Sequence, residues 1–411
     1  MSNDNDLQRE QGIYKEYTKV DHGDAWCPIP FNAISFHPTG VLTRCMMSDV
    51  PMGEDYDSEE MQKLRTDMLN GVWDKEGCIN CLKKEEQGNI SQRQKWLQRN
   101  PDDFRNTDGY INPKVTGNPV NHMFINYSNI CNFKCRMCSP GYSNSLIPEH
   151  KHLNTLGLAR KVKPEIIKNR NFINTYLREH PEKLDSLSSI WITGGEPFMD
   201  DNCFDLMDIL NEYDKSWDMD VVITTNGSKV DLNKLQKFEN LKWFELDLSI
   251  DAASNMFEYM RSDGLYTWQQ MRSLIDDLKH FKKQNDGWFN MCFNASIQAY
   301  NFDTVTEFNE LCVDAGALNN TRMLIFPEHL RLNVLPIDIR MKEYERIKDY
   351  KIVNDPRFQR TFDDVLKNLQ APQANQNMID KFKAFTKAQD KYRNKTMHDY
   401  HSILGNFIYN E

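Results

Sequence analysis

Cys131-Asn-Phe-Lys-Cys135-Arg-Met-Cys138 puts three thiols on one short stretch. It follows Met123-Phe-Ile-Asn-Tyr127, a largely apolar run with the composition of a strand. Thiolates this close together, on a loop leaving a strand, have the pattern of a metal or iron–sulfur site. Their number matters. A cube-shaped cluster has four irons, so a loop with three cysteines leaves one iron with an open position. An open position marks a reactive centre, whereas a fully ligated metal is structural or a relay, as it is for zinc.

The chain has 10 cysteines. A second group is Cys27, Cys45, Cys78 and Cys81, while Cys203, Cys292 and Cys312 are scattered. A disulfide-stapled secreted protein does not fit a chain of 411 residues with a polar start, Met1–Glu10, that lacks the apolar core of a signal peptide. Grouped cysteines in a reducing compartment predict metal ligands. No window is long and apolar enough to span a bilayer, so the expectation is a soluble, cytoplasmic protein. A formal charge of -10 and a pI near 5.6 argue against nucleic-acid binding by bulk electrostatics. Acid gathers in Asp200–Asp220 and base in Tyr142–Lys183, which is the pattern of solvated helix faces.

These cysteines need elements to position them. Phe31–His37 and Val41–Cys45, joined by Pro38-Thr-Gly40, predict a β-hairpin with one cysteine just before it and one at its end. A helix over Ser58–Asn70 follows, then Cys78-Ile-Asn-Cys81. So small a hairpin and helix bury little apolar surface, and a bound metal would help to fix them. From Met123 onward apolar strands alternate with amphipathic helices. Strands are expected at 123–127, 189–193, 220–225, 243–250, 291–298 and 322–326, and helices include 201–213, 267–284 and 303–314. Residues 327–336 suggest a further short strand.

The fold class is therefore α/β, with a parallel sheet covered by helices. Six strand–helix units are too few for a closed eightfold barrel and suit an open, partial (β/α)6 TIM-like barrel. The expected division is a polar lead-in, 1–22; a hairpin-plus-helix cluster module, 23–82; a linker, 83–120; the partial barrel, 121–337; and a helical C-terminal extension, 338–411. Four polar motifs then fall at strand ends: the cysteine loop, Gly194-Gly-Glu-Pro197, Asn226-Gly227 and Ser249-Ile-Asp251. Loops at the carboxyl ends of parallel strands converge on one rim, where active sites collect.

The CxxxCxxC loop with the Gly194-Gly-Glu-Pro197 segment resembles the radical S-adenosylmethionine (SAM) superfamily over roughly Met123–Pro336. The resemblance implies a 4Fe–4S cluster on Cys131, Cys135 and Cys138, with the amine and carboxylate of SAM on the fourth iron. One electron entering the S–C5′ bond then releases a 5′-deoxyadenosyl radical that takes a hydrogen atom from substrate. By the same resemblance Gly194, Gly195 and Glu196 receive the SAM amine. Ser249 and Asp251 contact the ribose, Asn226 and Gln298 lie on the rim, Ile297 lies against adenine with Asn301 following, and Arg261 meets the SAM carboxylate. Met137 departs from the family, which often has an aromatic residue before the third cysteine; a methionine still suits adenine.

Cys27, Gly40, Cys45, Cys78 and Cys81 resemble, in order, the auxiliary-cluster modules called SPASM and twitch domains, although those usually follow the barrel. Four cysteines saturate a second 4Fe–4S cluster, which implies an electron relay. The implied partners are a flavodoxin or ferredoxin as reductant and a peptide or sugar-like small molecule as substrate, with no nucleic acid and no membrane. Three alternatives stand beside this reading. Cys27, Cys45, Cys78 and Cys81 also suit structural zinc. Cys292 or Cys312 could return a hydrogen atom to a substrate radical in a redox-neutral epimerisation or rearrangement. A zinc-binding scaffold without catalysis would use both cysteine groups structurally.

Overall fold

The structure, a computed structural model, describes residues 25–48, 50–53, 55–86, 91–99, 114–159, 162, 165–167, 171–351 and 356–410, so the expected lead-in 1–22 lies outside it. Among the described residues the fold is α/β with eight strands, mostly parallel. They are β1 (Ala33–Phe36), β2 (Leu42–Thr43), β3 (His122–Asn126), β4 (Ser189–Thr193), β5 (Asp220–Thr225), β6 (Trp243–Ser249), β7 (Phe289–Ile297) and β8 (Leu318–Met323). Residues 1–125 with 171–191 form one compact unit, and residues 126–170 with 192–411 form another.

In the first unit, β1 and β2 make the expected antiparallel hairpin, with Ser35 opposite Thr43. β1 also pairs in parallel with β3, Ala33 beside His122 and Phe36 beside Ile125. The hairpin strand β1 thus lies directly beside β3. Helix Glu59–Leu69 is capped by Ser58 and buries Met61, Leu64, Arg65 and Met68. Arg65 is fully buried and donates to the Pro30, Tyr56 and Val115 carbonyls and to Asp57. Within the expected linker, helix Gln92–Arg99 contributes a buried Trp96, edge-on to His122 and Phe124.

In the second unit, β5 to β8 run parallel in sequence order. Alternation divides their residues sharply. Phe244, Leu246 and Leu248 of β6 and Met291, Phe293, Ala295 and Ile297 of β7 are buried. Phe244 stacks on Phe238 at 4.3 Å, and Phe281 of helix Trp268–Gln284 meets Phe289 edge-on. That helix starts with a capping box, Thr267 and Gln270, and buries Met271, Leu274, Ile275, Leu278 and Phe281. Each such side chain contributes about 1.5–3 kcal/mol by leaving water. The opposite strand face is polar: Thr224, Glu245, Asp247, Ser249, Cys292, Asn294 and Ser296.

Two expectations are corrected. The last strand is Leu318–Met323 rather than 322–326, because Asn319 and Thr321 are buried and hydrogen-bonded, which hides the strand from an apolar-pattern reading. Residues 327–336 form two 3₁₀ turns, Glu328–Leu330 and Leu332–Val334, between two prolines instead of a strand. The C-terminal segment is helical, with helices Ile337–Ile347, Pro356–Leu369, Gln376–Arg393 and Ser402–Tyr409.

Candidate functional site

The loop after β3 is held by its own backbone and by the residues that follow it. Cys131 N–H donates to Asn144 Oδ1 at 3.1 Å, and Ser143 Oγ donates to the Phe133 carbonyl at 2.7 Å. The Ser145 hydroxyl caps the Cys131 carbonyl. Cys138 N–H closes a turn onto the Cys135 carbonyl, and Arg136 N–H donates to the Met260 carbonyl at 2.8 Å. Phe133 N–H, at 3.4 Å, and Asn226 Nδ2, at 3.8 Å, point at Cys131 Sγ. Cys131 and Cys135 are buried, and burial pushes their thiols up to about 11 and about 12, each raised further by the neighbouring cysteines of the loop. Three thiols on one loop, two of them buried where their charge is penalised, suit a cationic metal centre, which would take them as thiolates.

Gly194 and Gly195 both have positive φ, 80° and 55°. A Cβ on Gly194 would collide with the Asn126 side-chain amide, and one on Gly195 would lie only 2.5 Å from the Ile130 carbonyl oxygen. The glycines therefore let the loop after β4 close onto the start of the cysteine loop, an approach sealed by Glu196 N–H donating to the Ile130 carbonyl at 2.8 Å. The buried Glu196 carboxylate faces β5: it accepts from Thr225 Oγ1 at 2.6 Å, Asn226 N–H at 2.7 Å and Phe198 N–H at 3.2 Å. Burial nevertheless holds its pKa above the usual carboxylate range.

Asn226 bridges back to the cysteine loop, its Nδ2 donating to Asn132 Oδ1 at 2.9 Å. Asp251, with φ of 65°, accepts from Ser296 N–H at 2.7 Å and pairs with Arg261 at 2.5 Å. Asn301 ties the Asp251 carbonyl to the turn after β7 and accepts from Gln298 N–H. Ser249 ends β6 on the polar face, whereas Ile297 shares the strand face of Phe293 and Ala295. Arg261 also lies within electrostatic reach of Cys135.

Three buried polar atoms lack a partner: Asn126 Oδ1 at the end of β3, Gln298 Oε1 just after β7, and Arg261 Nε in the π-helical turn Glu258–Ser262. Two acceptors and one donor left dry in this way are costly unless a ligand meets them. They fit a molecule with both a cationic amine and an anionic carboxylate. The residues present therefore suit SAM beside a cluster on Cys131, Cys135 and Cys138. Asn126 escaped the sequence reading, although it closes β3 five residues before the first cysteine.

Further along β6 and β7, Asp247 sits opposite both Thr224 and Cys292, and Asn294 sits opposite both Ser249 and Asn320. Glu245, Asp247 and Cys292 bring ligand atoms within 4.8 Å of one another. Asn294 Oδ1 accepts from Asn320 at 2.6 Å and from Arg322 at 2.8 Å, while its Nδ2 and Asp247 Oδ1 have no partner. Cys312 is elsewhere, among the buried residues of helix Val305–Ala315.

In the first unit, Cys27, Cys45, Cys78 and Cys81 line one pocket with Arg44, Trp73 and Arg93. Burial raises the thiols of Cys27, Cys45 and Cys78, to about 12 for Cys45 and about 11 for Cys78, and the other cysteines of the group raise them further.

Among the described residues no helix is long and apolar enough to cross a membrane. No curated protein matches the sequence. Solved structures with a similar course include Streptococcus suis SuiB bound to S-adenosylmethionine, at 14% identity and a TM-score of 0.38, covering 56% of this chain and 47% of that one. SuiB bound to its precursor peptide SuiA gives 14% identity and a TM-score of 0.38, over 66% of this chain and 58% of that one. A histidine-tagged anSMEcpe with bound AdoMet gives 17% and 0.40, over 56% and 60%. The chain thus spans about half the length of the SuiB chains. The model of the Radical SAM superfamily matches residues 125–293, a stretch that begins on β3, contains the cysteine loop and Gly194–Glu196, and ends on β7.

Proposed function

We propose that this protein is a radical SAM enzyme that removes a hydrogen atom from a polar substrate. The reading is supported by a three-cysteine loop with two of its thiols buried, together with three unpartnered buried polar atoms, on Asn126, Arg261 and Gln298. When bound, the cluster and SAM supply a 5′-deoxyadenosyl radical by one-electron cleavage of the S–C5′ bond. Cys131, Cys135 and Cys138 would hold the cluster. Asn126 Oδ1, beside Gly194, would accept from the SAM amine; Arg261 Nε would donate to its carboxylate; and Gln298 Oε1 would accept from the nucleoside. Glu196 acts one step back, fixing the end of β5 so that Asn226 meets the loop. Asp251 likewise orients Arg261, and Ser249 remains the ribose contact.

Cys27, Cys45, Cys78 and Cys81 would hold a second 4Fe–4S cluster in a SPASM- or twitch-like module that takes the electron left on the substrate radical. The net reaction is then a two-electron oxidation or a new bond. A flavodoxin or ferredoxin in the cytoplasm would supply the initiating electron. The polar strand face around Asp247 and Asn294 favours a peptide or sugar-like small molecule over an apolar one, since both atoms left dry there need partners.

A second reading is a redox-neutral epimerisation or rearrangement. Cys292 supports it, because its thiol shares the polar face with Asp247, whereas Cys312 lies within a buried helix face. Cys292 would give its S–H hydrogen atom to the substrate carbon radical, and one electron from the reductant with one proton from solvent would restore the thiol. Solvent deuterium in the product, lost in Cys292→Ser but not in Cys312→Ser, supports this reading; deuterium-free product contradicts it. For the main reading, SAM and dithionite should give 5′-deoxyadenosine with the reconstituted protein. Zinc in both cysteine groups without that product would leave only a non-catalytic scaffold.

A further inference from the structure

We infer that the C-terminal helix Gln376–Arg393 is part of the cluster-binding apparatus, with Asp390 and Gln389 as positioning residues that fix Arg136 and so the Cys135–Cys138 half of the loop. The inference rests on reading Cys131, Cys135 and Cys138 as cluster ligands.

Arg136 stands directly after Cys135, yet it is 1% exposed. Its guanidinium donates to Asp390 Oδ1 at 2.5 Å, to Gln389 Oε1 at 3.3 Å and to the Tyr259 carbonyl at 2.9 Å, and it lies 3.6 Å above the Tyr259 ring. Asp390, 2% exposed, also accepts from Tyr259 Oη at 2.9 Å, from Met397 N–H at 3.0 Å and from Tyr409 Oη. One carboxylate thereby joins the cysteine loop, the turn before Arg261 and the last helix. The same C-terminal helix grips the segment after the loop. Gln389 Nε2 and Arg393 Nε each donate at 2.7 Å to Glu149, buried in helix Ile147–Thr155.

A purely structural network could sit anywhere in the core. This one seizes the residue between two cluster ligands, and it sets a compensated charge beside them. Charges and hydrogen bonds around a cluster tune its potential, and partners of the ligands govern how tightly the metal is kept. Asp390→Asn preserves the shape of the network but removes the negative charge. The guanidinium then stands uncompensated beside the cluster, favouring its reduced form.

The test uses the full chain, reconstituted anaerobically with iron and sulfide, as wild type, Asp390→Asn, Asp390→Glu and Gln389→Ala. The expected result for Asp390→Asn is a positive shift in the midpoint potential of the SAM-site cluster, followed by its electron paramagnetic resonance signal. Loss of its iron to a chelator should be roughly 10- to 100-fold easier. Asp390→Glu should restore the potential. Gln389→Ala, which leaves Asp390 paired, should loosen the iron with the smaller change in potential. A wild-type potential and iron release in Asp390→Asn would overturn the inference, as would a lower melting temperature with the potential unmoved. Should Asp390→Asn not fold, Gln389→Ala decides by its iron release. A wild type holding no more iron than a Cys131/Cys135/Cys138→Ala variant would sink the cluster reading itself.

Discussion

Glu196 Oε2 accepts the backbone N–H of Asn226 at 2.7 Å, while the Asn226 side chain reaches Asn132 inside the cysteine loop. A single carboxylate thus sets the end of one strand against the site carried by another. Among sequence features it stood out as an acceptor for a ligand amine, but it already has three protein donors.

This arrangement makes stability depend on pH with a definite sign. Burial lifts the Glu196 pKa above its ordinary 4.5, against the pull of its bonds to Thr225, Asn226 and Phe198. Folding therefore favours the protonated form. The associated stability is present below the ordinary value and is lost as pH rises through the folded-state value. Urea unfolding across that range should show a decline that Glu196→Gln flattens. An equal decline in both proteins would contradict it.

Gly195→Ala combines two penalties. At φ of 55° an alanine sits in the left-handed region, and its Cβ would lie 2.5 Å and 2.7 Å from two backbone oxygens that have little room to shift. The expected loss is about 2 kcal/mol or more, with weaker iron retention. Denaturant melts and iron analysis of the reconstituted variant measure both.

The two cysteine groups should load independently. Wild type should hold about eight irons per chain, and about four should remain when either Cys131/Cys135/Cys138 or Cys27/Cys45/Cys78/Cys81 is replaced by alanine. Zinc in place of iron at the upstream cysteines would turn that site into a structural one.

Arg65→Met should cost about 3–5 kcal/mol, because it strips a fully buried guanidinium from Asp57 and leaves three carbonyls without their donor. One of these is Pro30, close in sequence to Cys27, so iron loss is expected at the upstream site first. Comparison with the alanine variants tells which site empties.

Much of this was legible in the sequence because it follows local rules. The strands from β3 to β7 are apolar runs, the hairpin is punctuated by Pro38 and Gly40, and the helix expected at 267–284 forms as Trp268–Gln284. β8 was misplaced because its buried residues include Asn319 and Thr321, whose polar groups are satisfied within the fold and leave no apolar period. The parallel pairing of β1 with β3 joins segments some ninety residues apart, and no local pattern encodes it. The burial of Arg136 has no local signal either, since Asp390, which makes it tolerable, is 254 residues away.

The most direct test is anaerobic incubation of the reconstituted protein with SAM and dithionite, with chromatography for 5′-deoxyadenosine. The account predicts formation by wild type and none by Cys131→Ala, Cys135→Ala or Cys138→Ala, with the upstream cysteines still holding their iron. Wild-type protein with its clusters loaded and no 5′-deoxyadenosine, or equal amounts from the cysteine variants, would contradict it.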